Sequence, residues 1–174
     1  MAKTAMSGYS RKIVVHDTPT SRVTMIANGA EVYPGFTVTC AGETWPDVCV
    51  PDALGESVFG IAGVPPGADV DTVIANNVEF PVYRTGSGAI VYGYHKGTPS
   101  GGSVEAGDIM VSTGFEADGY LAPLAKQIDA ITSADYTSTV LATTITILFS
   151  IVGRAMETHA STTNDTPIQI MLSI

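Results

Sequence analysis

The sequence predicts a mainly β fold, a small barrel or sandwich with an extended N-terminal arm and at most one or two short helices. Thr, Val, Ile and Ala dominate the uncharged positions, 18 Gly and 10 Pro punctuate them, and only 14% of the 174 residues are charged. Exposed helices would need more Lys, Glu and Arg than that. From Val23 onward, short apolar runs recur at regular spacing between turn residues, the pattern of a barrel or sandwich. Residues 1–22 then form the arm and residues 23–174 one barrel-like domain, with enlargements near 43–57 and 125–140.

The elements follow in chain order. In the arm, mixed polarity, Pro19 and the apolar patch Ile13, Val14 and Val15 read as extended chain ordered by whatever it lies against. "RVTMIA" alternates and stops at Asn28-Gly29, a tight-turn pair. In "YPGFTVTCA", Pro34 and Gly35 mark the entry, and Phe36, Val38 and Cys40 share one face. "ESVFGIAGV" ends at the stiff "PPGADVD", and "VEFPVYRTG", "GAIVYGYHKG", "DIMVSTG" and "GYLAPLA" are each bounded by Gly, Pro or Asp. Helical spacing occurs in 68–77 and 124–136. "STVLATTITILFSIVGRAM" is too β-branched for a comfortable helix and predicts one or two long strands. "TPIQIMLSI" alternates as the closing strand, whose pairing removes an exposed edge.

A weak internal echo runs through this succession. "VFGIAGV" (58–64) and "IVGRAME" (151–157) share two apolar residues, Gly, any residue and Ala, and a strand follows each after a polar break. Gly inside a strand marks a bulge or a close backbone approach.

Charge and motifs narrow the function classes. The net charge of −9 is uneven: residues 1–22 hold four basic residues (Lys3, Arg11, Lys12, Arg22) against Asp17, whereas the remainder holds four basic and 16 acidic residues. An acidic body repels nucleic acid, and a basic leader of four dispersed charges suits an acidic protein surface better than phosphate. Residues 1–12 lack the apolar core of an export signal, and the apolar stretch 140–152 is too short and too rich in Thr to span a bilayer. Cys40 and Cys49 bracket a turn; a cross-strand disulfide is open to them, but reduced, buried thiols are the favoured reading. His16, His95 and His159 are scattered and read as surface or turn residues, and Asp69-x-Asp71 as a solvated turn without the rest of a calcium loop. No nucleophile elbow, P-loop or zinc spacing occurs, so neither a catalytic residue nor a cofactor is expected.

The order "ANGAEVYPGFTVTCAG", "ESVFGIAGV", "VEFPVYRTGSGAIVYGY", "VEAGDIMVSTGFEADGYLAPLA" and "SIVGRAME…TPIQIMLSI" resembles the small β-rich capsid decoration, or cement, proteins of tailed viruses over residues 27–174. The matches fall on Gly35, Gly60, Ala106-Gly107-Asp108, Asp118-Gly119 and Gly153-Arg154-Ala155. The resemblance implies a barrel-like or tulip-shaped domain, a homotrimer on the outer surface of a virion capsid, made in the host cytoplasm. It implies clamping of the major capsid protein without catalysis, nucleic acid or membrane, through many weak contacts that act together. Within it, Gly60, Gly107, Asp108, Gly119, Gly153 and Arg154 are bulge and turn positions of the barrel. The expected capsid-contact arm comprises Arg11, Lys12, Ile13, Val14, Val15 and Arg22, acting by strand addition, with Arg22 and Arg154 also candidates for salt bridges. The alternative class is a virion-displayed receptor- or glycan-binding module, in which Trp45 or Tyr94 lines a groove; an enzyme with an unassigned carboxylate pair is more remote.

Overall fold

Eleven strands alternate with turns in the computed structural model, which describes residues 5–8, 10, 12–19, 21–29, 31–40, 45–51, 56–97, 102–113, 119–127, 147–148, 150–160 and 165–173. They are β1 (Val14–His16), β2 (Arg22–Ala27), β3 (Thr37–Cys40), β4 (Asp47–Cys49), β5 (Gly60–Ala62) and β6 (Glu79–Arg84). The series continues with β7 (Ile90–His95), β8 (Ile109–Ser112), β9 (Leu121–Pro123), β10 (Ile151–Ala155) and β11 (Thr166–Met171). The fold is mainly β, as composition and turn spacing predict.

Strands β2 to β6 close a barrel in the order β2-β4-β3-β5-β6. Strands β7 to β11 form a sheet in the order β7-β11-β10-β8-β9, and pairing of β9 with β7 closes these five into a second ring with β1 on its outer edge. The body thus holds a closed five-strand barrel, as expected, and beside it a second five-strand ring. The rings have the same strand order, and their registers match residue for residue. Thr37 faces Ile61 and Val38 faces Gly60 in the first; Ile109 faces Arg154 and Met110 faces Gly153 in the second. Each has one parallel seam, Ala27 with Val48 and His95 with Leu121. Even the bridge outside the strands recurs, Val32 with Ile74 and Val104 with His159. The echo of "VFGIAGV" in "IVGRAME" is thus the same strand, β5 and β10, seen twice.

The shared glycines have shared reasons. A Cβ on Gly60 would strike the backbone carbonyl of Tyr83, and one on Gly153 that of Met171, so both strands approach their neighbours more closely than any side chain allows. Gly35 and Gly107 turn the chain into β3 and β8 at φ of 89° and 97°. Their N–H groups donate to Ala62 O and Ala155 O, both at 2.8 Å.

The rings share one core, in which Met25, Val38, Ile61, Phe80 and Val82 of the first are continuous with Val91, Tyr94, Met110, Val152, Ile168 and Ile170 of the second. The arm belongs to this core too. Met6 and Ile13 are buried, β1 pairs with β7, and the Asp71 carboxylate accepts the Met6 and Ser7 N–H groups at 2.6 and 3.1 Å, capping a 3-10 turn at Met6–Gly8. The expected free arm is a strap across both rings, because its apolar residues have a buried place to go.

Other expectations also change. Residues 68–77 are turns with a bridge at Ile74 rather than a helix, because Val70 and Ile74 point into the first ring. Helix is present at 124–127, while 128–136 lie outside the described residues, as does most of 140–149; of the expected long strands, residues 147–148 are helical and Ile151–Ala155 is strand. Within the region 43–57, Asp47–Cys49 form β4, a member of the first ring, while 43–44 and 52–55 lie outside the described residues. Because Thr39 opposes Cys49 and Cys40 opposes Val48, the two cysteines point to opposite faces; Cys40 is exposed rather than buried, and no disulfide joins them.

Gly153→Ala is expected to cost about 3 kcal/mol, since a backbone carbonyl cannot yield as a side chain does. Gly107→Ala, with open space around its Cβ but a left-handed φ, should cost about 1 to 2 kcal/mol. Urea denaturation of both variants gives the comparison; equal costs would contradict the close approach of β10 to β11.

Candidate functional site

The rings meet at a corner made of Gly35, Phe36 and Thr37. In the first ring the parallel seam is complete, with Ile26 N–H donating to Pro46 O at 3.2 Å and Asn28 N–H to Val48 O at 2.8 Å. The second ring keeps the counterpart of the latter bond, Lys96 N–H to Leu121 O at 2.8 Å. It exchanges the former. Tyr94 N–H donates instead to Gly35 O at 3.1 Å, and Gly119 O accepts from Thr37 N–H at 2.8 Å. The first ring's corner has entered the second ring's seam, and each backbone group remains paired across the junction.

Aromatic side chains fill the opening. Phe36 packs against Tyr120, Tyr33 and Tyr94 with centroids 4.8, 5.3 and 5.7 Å apart, the last edge to face. Behind Tyr120 lies an ion pair that composition alone did not reveal. Lys96 Nζ stands 3.5 Å from Asp165 Oδ1, with the two side chains only 10% and 3% exposed. Asp165 Oδ1 also accepts the Gly97 N–H at 2.8 Å, and Lys96 lies over the Tyr120 ring at 4.7 Å. Burial, then the Asp165 charge and its hydrogen bond, push the Tyr120 hydroxyl well above its usual range, and burial does the same to Tyr94. His95 is fully buried, its ring 6.5 Å from that of His159, so it is not the surface residue expected. Tyr94 likewise lies in the core and lines no groove.

Of the expected bulge and turn positions, Gly107, Asp108 and Gly119 lie at turns, and Gly60, Gly153 and Arg154 lie within β5 and β10. Asp108 Oδ2 accepts the Glu105 N–H at 2.9 Å and closes its own turn; Gly119 lies against Phe36; Arg154 is exposed and donates from Nη1 to Gly107 O at 3.0 Å. Arg154 therefore makes an intramolecular hydrogen bond. Asp118 and Arg11 lie outside the described residues.

The arm residues divide. Ile13 is buried and Val14 half-buried, whereas Lys12, two residues before β1, and Val15 and His16 within it are exposed; the outer edge of β1 is unpaired among the described strands. Arg22, exposed at the start of β2, follows Ser21, whose hydroxyl bonds the Asp17 carboxylate just beyond β1. This makes a short strand edge with basic and apolar side chains on an otherwise acidic body. Two other surface features stand out: Trp45, 63% exposed and edge-on to Phe59 at 5.6 Å, and an open groove by Gly107, Ile109 and Pro123. Among the described residues, no three His, Cys, Asp or Glu side chains are placed to hold a metal, and no helix is long and apolar enough to cross a membrane. No known family model matches the chain, and no curated protein matches it.

Two predictions follow from the buried cluster. Lys96→Met leaves a buried carboxylate without its cation and should cost roughly 3 to 5 kcal/mol in chemical denaturation, much of it restored by adding Asp165→Asn. Because the folded state raises the tyrosine pKa values above the unfolded 10.0, their contribution is intact below pH 10 and fades above it. Tyrosinate absorbance should therefore rise together with alkaline unfolding, and Tyr120→Phe should shift that transition.

Proposed function

We propose that the protein is a structural component of a viral particle, a decoration protein that binds the outer surface of a capsid and stabilises contacts between major capsid protein subunits. The observation that carries this reading is the exposed edge of β1. Among the described strands that edge is unpaired, with Val15 exposed on it and Lys12 two residues before it, and the strand is held to the body by β7 and by the buried Ile13. Such an edge suits addition of a strand from a partner, and its basic residue suits an acidic partner surface. The resemblance over residues 27–174 supports the same class, although its glycines are explained by ring geometry and carry no contact of their own. The strap and the exchanged hydrogen bonds across the junction supply the stiffness that a clamp between subunits needs. Catalysis, nucleic acid and membrane have no part in this reading.

Deletion of residues 2–20, the simplest test of a free arm, would remove Met6 and Ile13 from the core and unfold the body. The appropriate variant is Lys12→Glu with Val15→Asp, both at exposed positions. It should bind purified viral shells at least tenfold more weakly than the parent while unfolding at the same urea concentration. Undiminished binding would reject the β1 edge as the gripping element. The exposed Trp45 favours the second class, a displayed receptor or glycan module; a glycan-array signal that vanishes in Trp45→Ala would point there.

A further inference from the structure

The second ring ends on a pair of charged side chains that ring geometry does not require. Lys96 lies just past β7 and Asp165 just before β11, the first and last strands of that ring. Their counterparts in the first ring, Asn28 and Asn77, are exposed and uncharged. The same strand pairing therefore forms without a buried charge, and the pair in the second ring calls for a reason of its own.

As a salt bridge the pair is poor. Nζ stands 3.5 Å from Oδ1, beyond the range of a good N–H···O bond, although both side chains are withdrawn from water. Two ions are thus desolvated without a short contact to offset the cost. The carboxyl group, by contrast, is firmly held. Its Oδ1 accepts the Gly97 N–H at 2.8 Å, and the Tyr120 hydroxyl also bonds this carboxylate. The Tyr120 ring lies under Nζ, 4.7 Å from it, and shields the amine on that side. An amine is therefore fixed beside a carboxyl group that carries hydrogen-bond donors, at a place with little water. Neighbours fixed in this way react as though present at on the order of 10⁵ M or more, and exclusion of water suppresses the reverse hydrolysis.

We propose that Lys96 and Asp165 condense into an intramolecular isopeptide bond that ties β7 to β11 covalently. One ammonium proton passes to the carboxylate, leaving an amine and a carboxylic acid. Nζ attacks Cγ, and as the N–Cγ bond forms an electron pair moves onto Oδ1, where the Gly97 N–H stabilises the charge. Collapse restores the carbonyl and expels the other oxygen as water, which takes the acid proton and one proton from Nζ. One ammonium and one carboxylate become one amide and one water, so no oxidant, reductant or cofactor is needed. Tyr120 is a positioning residue: burial and the Asp165 charge keep its hydroxyl protonated and hence a donor to the carboxyl group. The bond lies wholly within one chain and is independent of the capsid reading. It stiffens the body, because a crosslink between residues far apart in sequence removes conformations from the unfolded chain.

Intact mass spectrometry of the folded protein, from the earliest purified sample onward, decides it. The parent should be, or become, lighter than its sequence by one water. Trypsin should then no longer cleave after Lys96, and the peptides that hold Lys96 and Asp165 should emerge as one branched species. Lys96→Arg keeps the positive charge but offers no attacking amine, and should retain the full mass of its sequence. Tyr120→Phe keeps the aromatic cover and should join about a hundredfold more slowly, the effect of removing one donor from a reacting group. A parent that keeps its full mass and is cut after Lys96 would leave an ion pair only and overturn the proposal. A water loss that persists in Lys96→Arg would overturn it as well, since it would belong to Asp165 without the lysine. A Tyr120→Phe variant that joins as fast as the parent would remove the tyrosine from the reaction.

Discussion

The exchange of two backbone hydrogen bonds at the Gly35–Thr37 corner is the constraint on which the rest of the molecule depends. Ile26 and Pro46 satisfy each other within the first ring, whereas Tyr94 and Gly119, the equivalent pair, are each satisfied by the other ring. Opening a seam would ordinarily strand a donor and an acceptor in the interior, at the cost of desolvating both. Here the entering corner supplies an acceptor and a donor at the required places, so the opening leaves neither group unsatisfied. Phe36 follows the backbone into the gap, which is why four aromatic rings collect at a position where the outer corner of the second ring has Asp108.

The junction also explains the buried charge. Lys96 and Asp165 lie where the second ring's mouth meets Tyr120, and the corresponding residues of the first ring, Asn28 and Asn77, are exposed. A buried pair of this kind is weak evidence for added stability, because desolvation offsets much of the attraction. Its stronger effect is on specificity: it orients Tyr120 through a hydrogen bond and a cation over the ring, and Tyr120 in turn holds Phe36. The strap adds a second tie, since Asp71 of the first ring anchors the turn at Met6 and β1 completes the edge of the second. Two small rings, each with a limited core, thereby become one body.

Much of the fold was legible in the sequence for a local reason. Gly, Pro and Asn-Gly pairs set turns through φ preferences that act within a few residues, so the runs that became β2, β3, β5, β6, β7, β8, β9 and β11 stand between such turns. The echo of Gly-x-Ala was legible as well, because a close strand approach excludes every Cβ at Gly60 and Gly153 alike. β4 was missed since "DVC" is three residues long and has no alternation to detect. The 68–77 segment was misread because Val70 and Ile74 sit at helical spacing, yet a ring bridge and two turns satisfy them better. In the candidate site, the exposed Lys12, Val15 and Arg22 were anticipated as a group, whereas the burial of Ile13 and the covering of Tyr94 were not.

The sequence by itself determined the β class, the corners and the uneven charge, because turn chemistry, β-branching and composition are properties of short stretches. Only the tertiary structure decided that there are two rings rather than one, that the arm is a strap, and that Lys96 meets Asp165. Those outcomes depend on pairings between residues 59 or more positions apart, such as Met6 with Asp71 and Gly35 with Tyr94, which no local pattern encodes.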